Sequence, residues 1–438
     1  MRKRITRRQF LGGAVATGVG MTALGGALVG GSKSYGAAGG KVTLNYLGRG
    51  DDRERAMYDQ IFAMFKDRNP NIDIAVTWIP NGMAVDQQQK VLTMLAGGLP
   101  PDVMWTHTYI TPGLVARGAL MDVSGFIKKD HFDLGQYLAP AVQDFTRKGQ
   151  IYGLPRETTA FVMIFNRTML RAAGLPDPKP GWKWNDLLAM ARAMTKGSGS
   201  DQVYGLYGMT NDIFAFTVKT WQNGGDLLNA DRTQYTANGK PGVDSAQFIQ
   251  DLIWKEKVHP TLDNIKTFGD LMAAGRAGFE PFYTAFIALK DAQFEWDVAA
   301  MPTDGKRVTR VASAGHAMLK GTKYPDEAWE LLKFLASAPA FDAFIGNGII
   351  MPARKDTFNT VLTKPSSNIL VPKNIQVIRD AFGYGRPEPV AGNWVGVHTT
   401  LISALTNVWG PQKMDPKASL DAVAGTVNDL IKALPEAK

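Results

Sequence analysis

Apolar residues recur along this chain with two alternating periods. Val42, Leu44 and Tyr46 alternate with polar neighbours and predict a strand, and Met57, Ile61, Met64 and Phe65 then fall on one face of a helix. Ile72, Ile74, Val76 and Trp78 return to period two. Val91, Leu92 and Leu95 sit on a second helix ending at Gly97-Gly98, and Asp102-Val103-Met104-Trp105 is a third short strand. Such a βαβαβ start implies a mostly parallel sheet. Thr111-Pro112 reads as a cap and first-turn proline before another helix, which Gly118 stops. After a polar loop at Arg147 to Tyr152, the alternation resumes. Ala160 to Phe165 is an apolar strand, Thr168 to Ala173 a helix closed by Gly174, and Asn185 to Met194 a helix with Leu187, Leu188, Ala191 and Met194 inward. Near the end, Asp415-Pro416 caps a helix whose Leu420, Val423, Val427, Leu430, Ile431 and Leu434 share one face. About 400 residues beyond the first segment exceed one ordinary core, so two α/β lobes are the natural division.

The first 38 residues carry a different pattern: a basic start, an apolar Gly/Ala/Val/Leu run from Phe10 to about Val29, and small residues at Gly36-Ala37-Ala38. These are the three parts of a cleavable export signal. A membrane anchor is the alternative, but many glycines with Thr17 and Thr22 make the run weakly hydrophobic for a span. Thr6-Arg7-Arg8-Gln9-Phe10-Leu11 resembles the twin-arginine signal, so a periplasmic location for the released chain is expected.

Charge changes meaning once this segment is set apart. The formal +9 includes Arg2, Lys3, Arg4, Arg7, Arg8 and Lys33, leaving 43 Lys+Arg against 40 Asp+Glu in the rest. A near-balanced chain argues against nucleic acid as a partner. Zero cysteine excludes disulfides, thiolate metal sites and thiol nucleophiles. His107, His131, His259, His316 and His398 are isolated, and no Gly-x-Ser-x-Gly elbow or phosphate-binding Gly-x-x-x-x-Gly-Lys loop occurs. No metal or cofactor is expected.

What stands out is aromatic residues in polar, glycine-containing stretches: Trp105 by His107 and Tyr109, Trp221 before Asn223-Gly224-Gly225, Tyr283, and Trp394 after Gly392-Asn393. A flat ring stacks on the apolar face of a sugar while polar neighbours pair its hydroxyls, although core packing is the other use of any one tryptophan. Gly48-Arg49-Gly50 marks a strand-to-helix junction where Arg49 and backbone N–H groups could meet a ligand.

Read in order, several stretches resemble the extracellular solute-binding proteins of family 1, the sugar-type receptors of ABC importers. They are Met64 to Ile72, Gly97 to Val103, Ile151-Tyr152-Gly153-Leu154-Pro155 with Phe165-Asn166-Arg167 and Ala172 to Pro176, Trp221 to Gly225, Gly315 to Leu319 with Ala328 to Leu335, and Met351-Pro352-Ala353-Arg354.

The resemblance implies an α/β, two-lobed periplasmic binding protein fold of type II, with hinge-linked lobes closing on a ligand cleft. The expected N-terminal lobe is 39–157 with 303–353, and the C-terminal lobe 158–302 with 354–438. Crossovers are expected near Arg156 to Ala160, Ala300 to Thr303 and Met351 to Phe358. Family contacts carried over by position fall on Arg49, Asp51, Thr106, His107, Glu157, Thr159, Trp221 and Trp394. Ala277-Gly278-Phe279-Glu280-Pro281-Phe282-Tyr283-Thr284 lacks the tryptophan usual in the family, so Tyr283 is the candidate replacement ring. The implied partners are a mono- or oligosaccharide and ABC permease subunits, with the receptor acting as a monomer and performing no bond chemistry. A polyol or glycerol-phosphate ligand is the alternative. An exported glycoside hydrolase or lyase is the rival from another class, and it would need two acids facing each other across the cleft.

Overall fold

The structure is a computed structural model that describes residues 40–80, 84–284, 289–346, 351–364 and 370–434. The expected export signal lies outside these residues. β1 (Val42–Gly50) buries Leu44 and Tyr46 on one face and Leu47 on the other, as a strand covered on both sides must. Gly50 ends it at φ +130°, a backbone state that favours glycine, and an added Cβ would meet the Glu54 carboxylate at 2.1 Å. The chain thereby turns directly into the helix Asp52–Arg68, where Asp51 caps the first turn by accepting the Glu54 N–H at 2.8 Å. β2 (Ile72–Pro80), the helix Ala84–Ala96 and β3 (Val103–His107) complete the opening unit. Both β2 and β3 pair in parallel with β1. Buried Asp102 locks β3 in place: its carboxylate accepts the Asn45 N–H at 2.7 Å and the Thr322 hydroxyl at 2.5 Å.

The polar loop is a hairpin of β4 (Thr146–Arg147) and β5 (Gln150–Ile151). It leads into β6 (Leu154–Asn166), twice as long as its apolar core suggests. β7 (Tyr204–Leu206), β8 (Ala277–Tyr283), β9 (Trp296–Ala299), β10 (Thr309–Met318) and β11 (Gly385–Arg386) follow. The main path runs β2-β1-β3-β10-β6-β8-β7, with β9 on β6 and β11 on β10.

The expectation of a mostly parallel sheet is corrected at its centre. β10 returns from late in the chain, inserts between β3 and β6, and pairs antiparallel with both. Antiparallel pairing also joins β6 to β8 and β9. Two helix ends differ as well. Thr111 is not an N-cap but the first residue of Thr111–Ala116, its hydroxyl donating to the His107 carbonyl at 2.9 Å. The terminal apolar face is carried by two helices, Pro416–Ala422 and Ala424–Ala433, because the chain breaks at Val423.

Residues 41–438 form one compact unit, with several apolar clusters around the sheet. One joins the first strands and helix to Ala328–Phe344, and another gathers Phe161, Leu187, Phe216, Phe279 and the helix Trp394–Trp409. Two of the stretches expected as crossovers lie side by side: Thr158 N–H donates to the Met351 carbonyl at 3.1 Å, and Ala353 N–H to the Arg156 carbonyl at 3.1 Å. Among the described residues no helix is long and apolar enough to cross a membrane.

Candidate ligand site

Arg310, at the start of β10, is buried at the centre of a ring of aromatic side chains. Its guanidinium carbon lies 4.1 Å from the centre of the Phe214 ring, 5.5 Å from Tyr109 and 5.6 Å from Tyr283. Nη2 donates to the Tyr109 hydroxyl at 3.2 Å, and Nε lies 3.2 Å from Oε1 of buried Glu388. The rings come from separate parts of the fold: Tyr109 follows β3, Phe214 opens the helix Phe214–Gln222, and Tyr283 ends β8. A second pair adjoins them. His398 Nε2 and Asp212 Oδ1 are 2.7 Å apart, and the His398 ring lies 5.2 Å from Tyr109. Phe214, Tyr283, Asp212 and Asn211 also wall a cavity of about 210 Å³.

His107 joins this group, its ring edge-on to Tyr109 at 5.2 Å. Desolvation, then the charges of Arg310 and Arg49, push its pKa down to about 3, so it is neutral at physiological pH. Nδ1 accepts the Tyr109 N–H at 3.2 Å, which places the ring proton on Nε2 as a donor. Arg49 lies 4.1 Å over the Trp105 ring, and Trp105 stacks on His107 at 5.9 Å. Trp394, fully buried at the head of its helix, meets Tyr109 edge-on at 6.2 Å, and its Nε1 has no hydrogen-bond partner among the described residues. Arg49, His107, Tyr283 and Trp394 are thus brought around Tyr109 and Arg310.

The other candidates sit elsewhere or are already engaged. Asp51 caps its helix and pairs with Arg53. Thr106 is fully buried, its hydroxyl 2.9 Å from that of Thr111. Glu157 accepts from Arg156 at 2.9 Å, in a network where Arg156 also donates to Glu54 at 3.0 Å and to the Tyr58 hydroxyl at 2.8 Å. Tyr58 in turn meets His316 Nε2 at 2.8 Å. Thr159, half-buried on β6, donates its hydroxyl to the Ala312 carbonyl at 3.4 Å. Trp221 is not a bare ring in a loop: it is buried, donates to Asp226 at 2.7 Å, and carries the Arg386 guanidinium on its face.

Arg310, Glu388, Phe214, Asp212 and His398 escaped sequence reasoning. A cation in an otherwise buried strand and an acid between two prolines, Pro387-Glu388-Pro389, were the available signals. Among the described residues no group of three His, Asp or Glu side chains has the spacing to hold a metal ion.

An α/β sheet crossed at its centre by a returning antiparallel strand, with aromatic and charged side chains converging beside that strand, is the periplasmic binding protein fold. The chain matches the model of the bacterial extracellular solute-binding protein family over residues 50–340 and belongs to that family. Binding proteins of Brucella abortus (strain 2308) and Brucella suis biovar 1 (strain 1330) are each 23% identical over 388 residues, covering 86% of this chain and 90% of theirs. Among solved structures, an ABC substrate-binding protein from Listeria monocytogenes in complex with cycloalternan superposes with a TM-score of 0.79 at 22% identity, covering 90% of this chain and 99% of that one. A solute-binding protein from Thermotoga lettingae bound with α-D-tagatose gives 0.74 at 20% identity, covering 89% and 100%. Maltose-bound MalE3 of T. maritima gives 0.73 at 21%, also covering 89% and 100%.

Proposed function

We propose that this solute-binding protein captures a carbohydrate outside the inner membrane and hands it unchanged to the permease of an ABC importer. The observation that carries this reading is the convergence of Tyr109, Phe214 and Tyr283 on Arg310 beside the Asp212–His398 pair. Rings supply faces for the C–H surface of a sugar, and the polar groups supply hydroxyl partners. The bound ligands of the Listeria and Thermotoga structures are also saccharides. Glu388 already neutralises Arg310, which disfavours an anionic ligand such as a glycerol phosphate.

Capture works by closure. The two lobes are 39–157 with 303–353 and 158–302 with 354–438, and the ligand bridges them so that the closed form gains contacts to both. Export precedes this, with residues 1–38 removed after passage by the twin-arginine route. Mass spectrometry of the exported chain tests that step, an intact N-terminus in the membrane fraction overturning it.

The deciding experiment is a thermal-shift screen of the exported chain against mono- and oligosaccharides, polyols and glycerol phosphates. A ligand that binds the native state raises the melting temperature by mass action. The binding saccharide is expected back intact after incubation, with a smaller radius of gyration of the complex by scattering. Cleavage products that scale with protein concentration would replace the receptor by an enzyme, and a shift only with glycerol phosphate would replace the sugar.

A further inference from the structure

We propose that Glu388 reads the sugar: its two carboxylate oxygens take hydrogen bonds from adjacent hydroxyls of one sugar ring, while Arg310 holds its charge. The inference rests on the carbohydrate reading above and names the group that selects the ligand.

Both Glu388 oxygens are sealed from solvent, and among the described residues no donor hydrogen-bonds to either. Arg310 Nε stands 3.2 Å from Oε1 as an ion pair, without the geometry of a formed hydrogen bond. Arg310 instead spends a donor on the Tyr109 hydroxyl. A buried carboxylate without donors is a costly arrangement, because the desolvation of its lone pairs is not repaid by hydrogen bonds. The charge is compensated and the hydrogen bonds are not, so the missing partner is a neutral donor rather than a cation.

Position and rigidity agree with that role. Glu388 shares its surroundings with Tyr109 and Tyr283, whose ionisation its charge opposes. β11 fixes the start of its loop by pairing Arg386 with Arg310. Pro387 and Pro389 restrict the backbone on either side, so little freedom is lost when the carboxylate engages a ligand. A carboxylate accepts only, and its paired oxygens match two neighbouring hydroxyl donors. Ether oxygens, carbonyls and O-methylated positions cannot serve. Separation of Tyr109 from Tyr283 and Glu388 as the lobes open gives such a ring access.

The test begins with the saccharide that gives the largest thermal shift in the screen above, used as the probe in calorimetry with the wild-type chain, Glu388→Gln and Glu388→Asp. Glu388→Gln is expected to weaken binding at least tenfold, and Glu388→Asp, which keeps the charge but withdraws the oxygens, to weaken it comparably, with unchanged circular dichroism. Monodeoxy analogues of the probe are then titrated into the wild-type chain. Two adjacent positions are expected to cost at least tenfold each, and that cost to shrink in Glu388→Gln. Affinity within twofold of wild type in both variants overturns the proposal and leaves the carbohydrate reading standing. Where a variant fails to fold, the deoxy series on the wild-type chain decides alone: no adjacent pair of sensitive positions overturns the proposal. A wild-type chain that binds no saccharide in the screen overturns both.

Discussion

The guanidinium carbon of Arg386 lies 4.2 Å from the centre of the Trp221 ring, and both side chains are tied to the same carboxylate, Asp226. The ring is therefore held between a cation on its face and an acceptor at its edge. Trp221→Ala is expected to destabilise the fold by about 3–5 kcal/mol, the scale of deleting a buried aromatic ring. Urea unfolding measures it. A change in sugar affinity with full stability would return Trp221 to the role of a ligand-stacking ring.

Arg156 carries a buried charge shared by Glu54 and Glu157 and steadied by Tyr58. Removing the cation leaves two enclosed acids without their partner. Arg156→Met is expected to cost about 3–5 kcal/mol, far more than any exposed pair on the surface. The double variant Arg156→Met with Glu54→Gln should recover part of that loss, read as a non-additive shift in the urea midpoint.

Glu280 on β8 is buried, accepts from Asn211 at 3.5 Å, and feels the charge of Asp270 while facing Tyr207. Desolvation, then the negative charge of Asp270, push its pKa up to about 8. The folded state therefore holds a proton that the unfolded chain releases near pH 4.5. The associated stability is complete below that value and is lost progressively as pH rises towards about 8. Glu280→Gln is expected to remove this slope, leaving the variant relatively more stable at pH 8.5 than at pH 5 when each is compared with wild type. Identical pH profiles of melting temperature would show that Glu280 is ionised at neutral pH.

The Tyr283 ring borders both Arg310 and the 210 Å³ cavity. Tyr283→Ala is expected to weaken saccharide binding by about 1–3 kcal/mol, whereas Tyr283→Phe keeps most of the affinity. Calorimetry on both variants checks this. Equal affinity of Tyr283→Ala and wild type would place the ligand away from this wall.

The parts of this protein legible in its sequence are those written in local period. β1, its helix, β2 and the 184–194 helix follow directly from the spacing of Leu44, Ile61, Ile74 and Leu187. β10 is different. Its ten residues are all buried, polar ones included, so no alternation survives to mark it or to reveal its antiparallel partners. The site is harder still. His107 and Tyr283 drew attention through their neighbours, but Arg310 and Glu388, 78 positions apart, gain meaning only once the chain between them folds them together. Trp221 shows the converse: an aromatic residue beside glycines looks available until a distant arginine is found lying on it.

Tyr109 meets Arg310 across 201 positions, and Asp212 meets His398 across 186. A ribosome making this chain from its N-terminus releases Tyr109, Phe214 and Tyr283 long before the acid and the histidine that complete the group. The rings and Arg310 are already present in a chain that stops short of Pro387, yet such a product carries a buried cation without its counter-charge. On the proposed reading of this site, binding competence arrives within the last tenth or so of synthesis, and premature termination yields a chain with most of its sheet and without the carboxylate proposed to select the ligand.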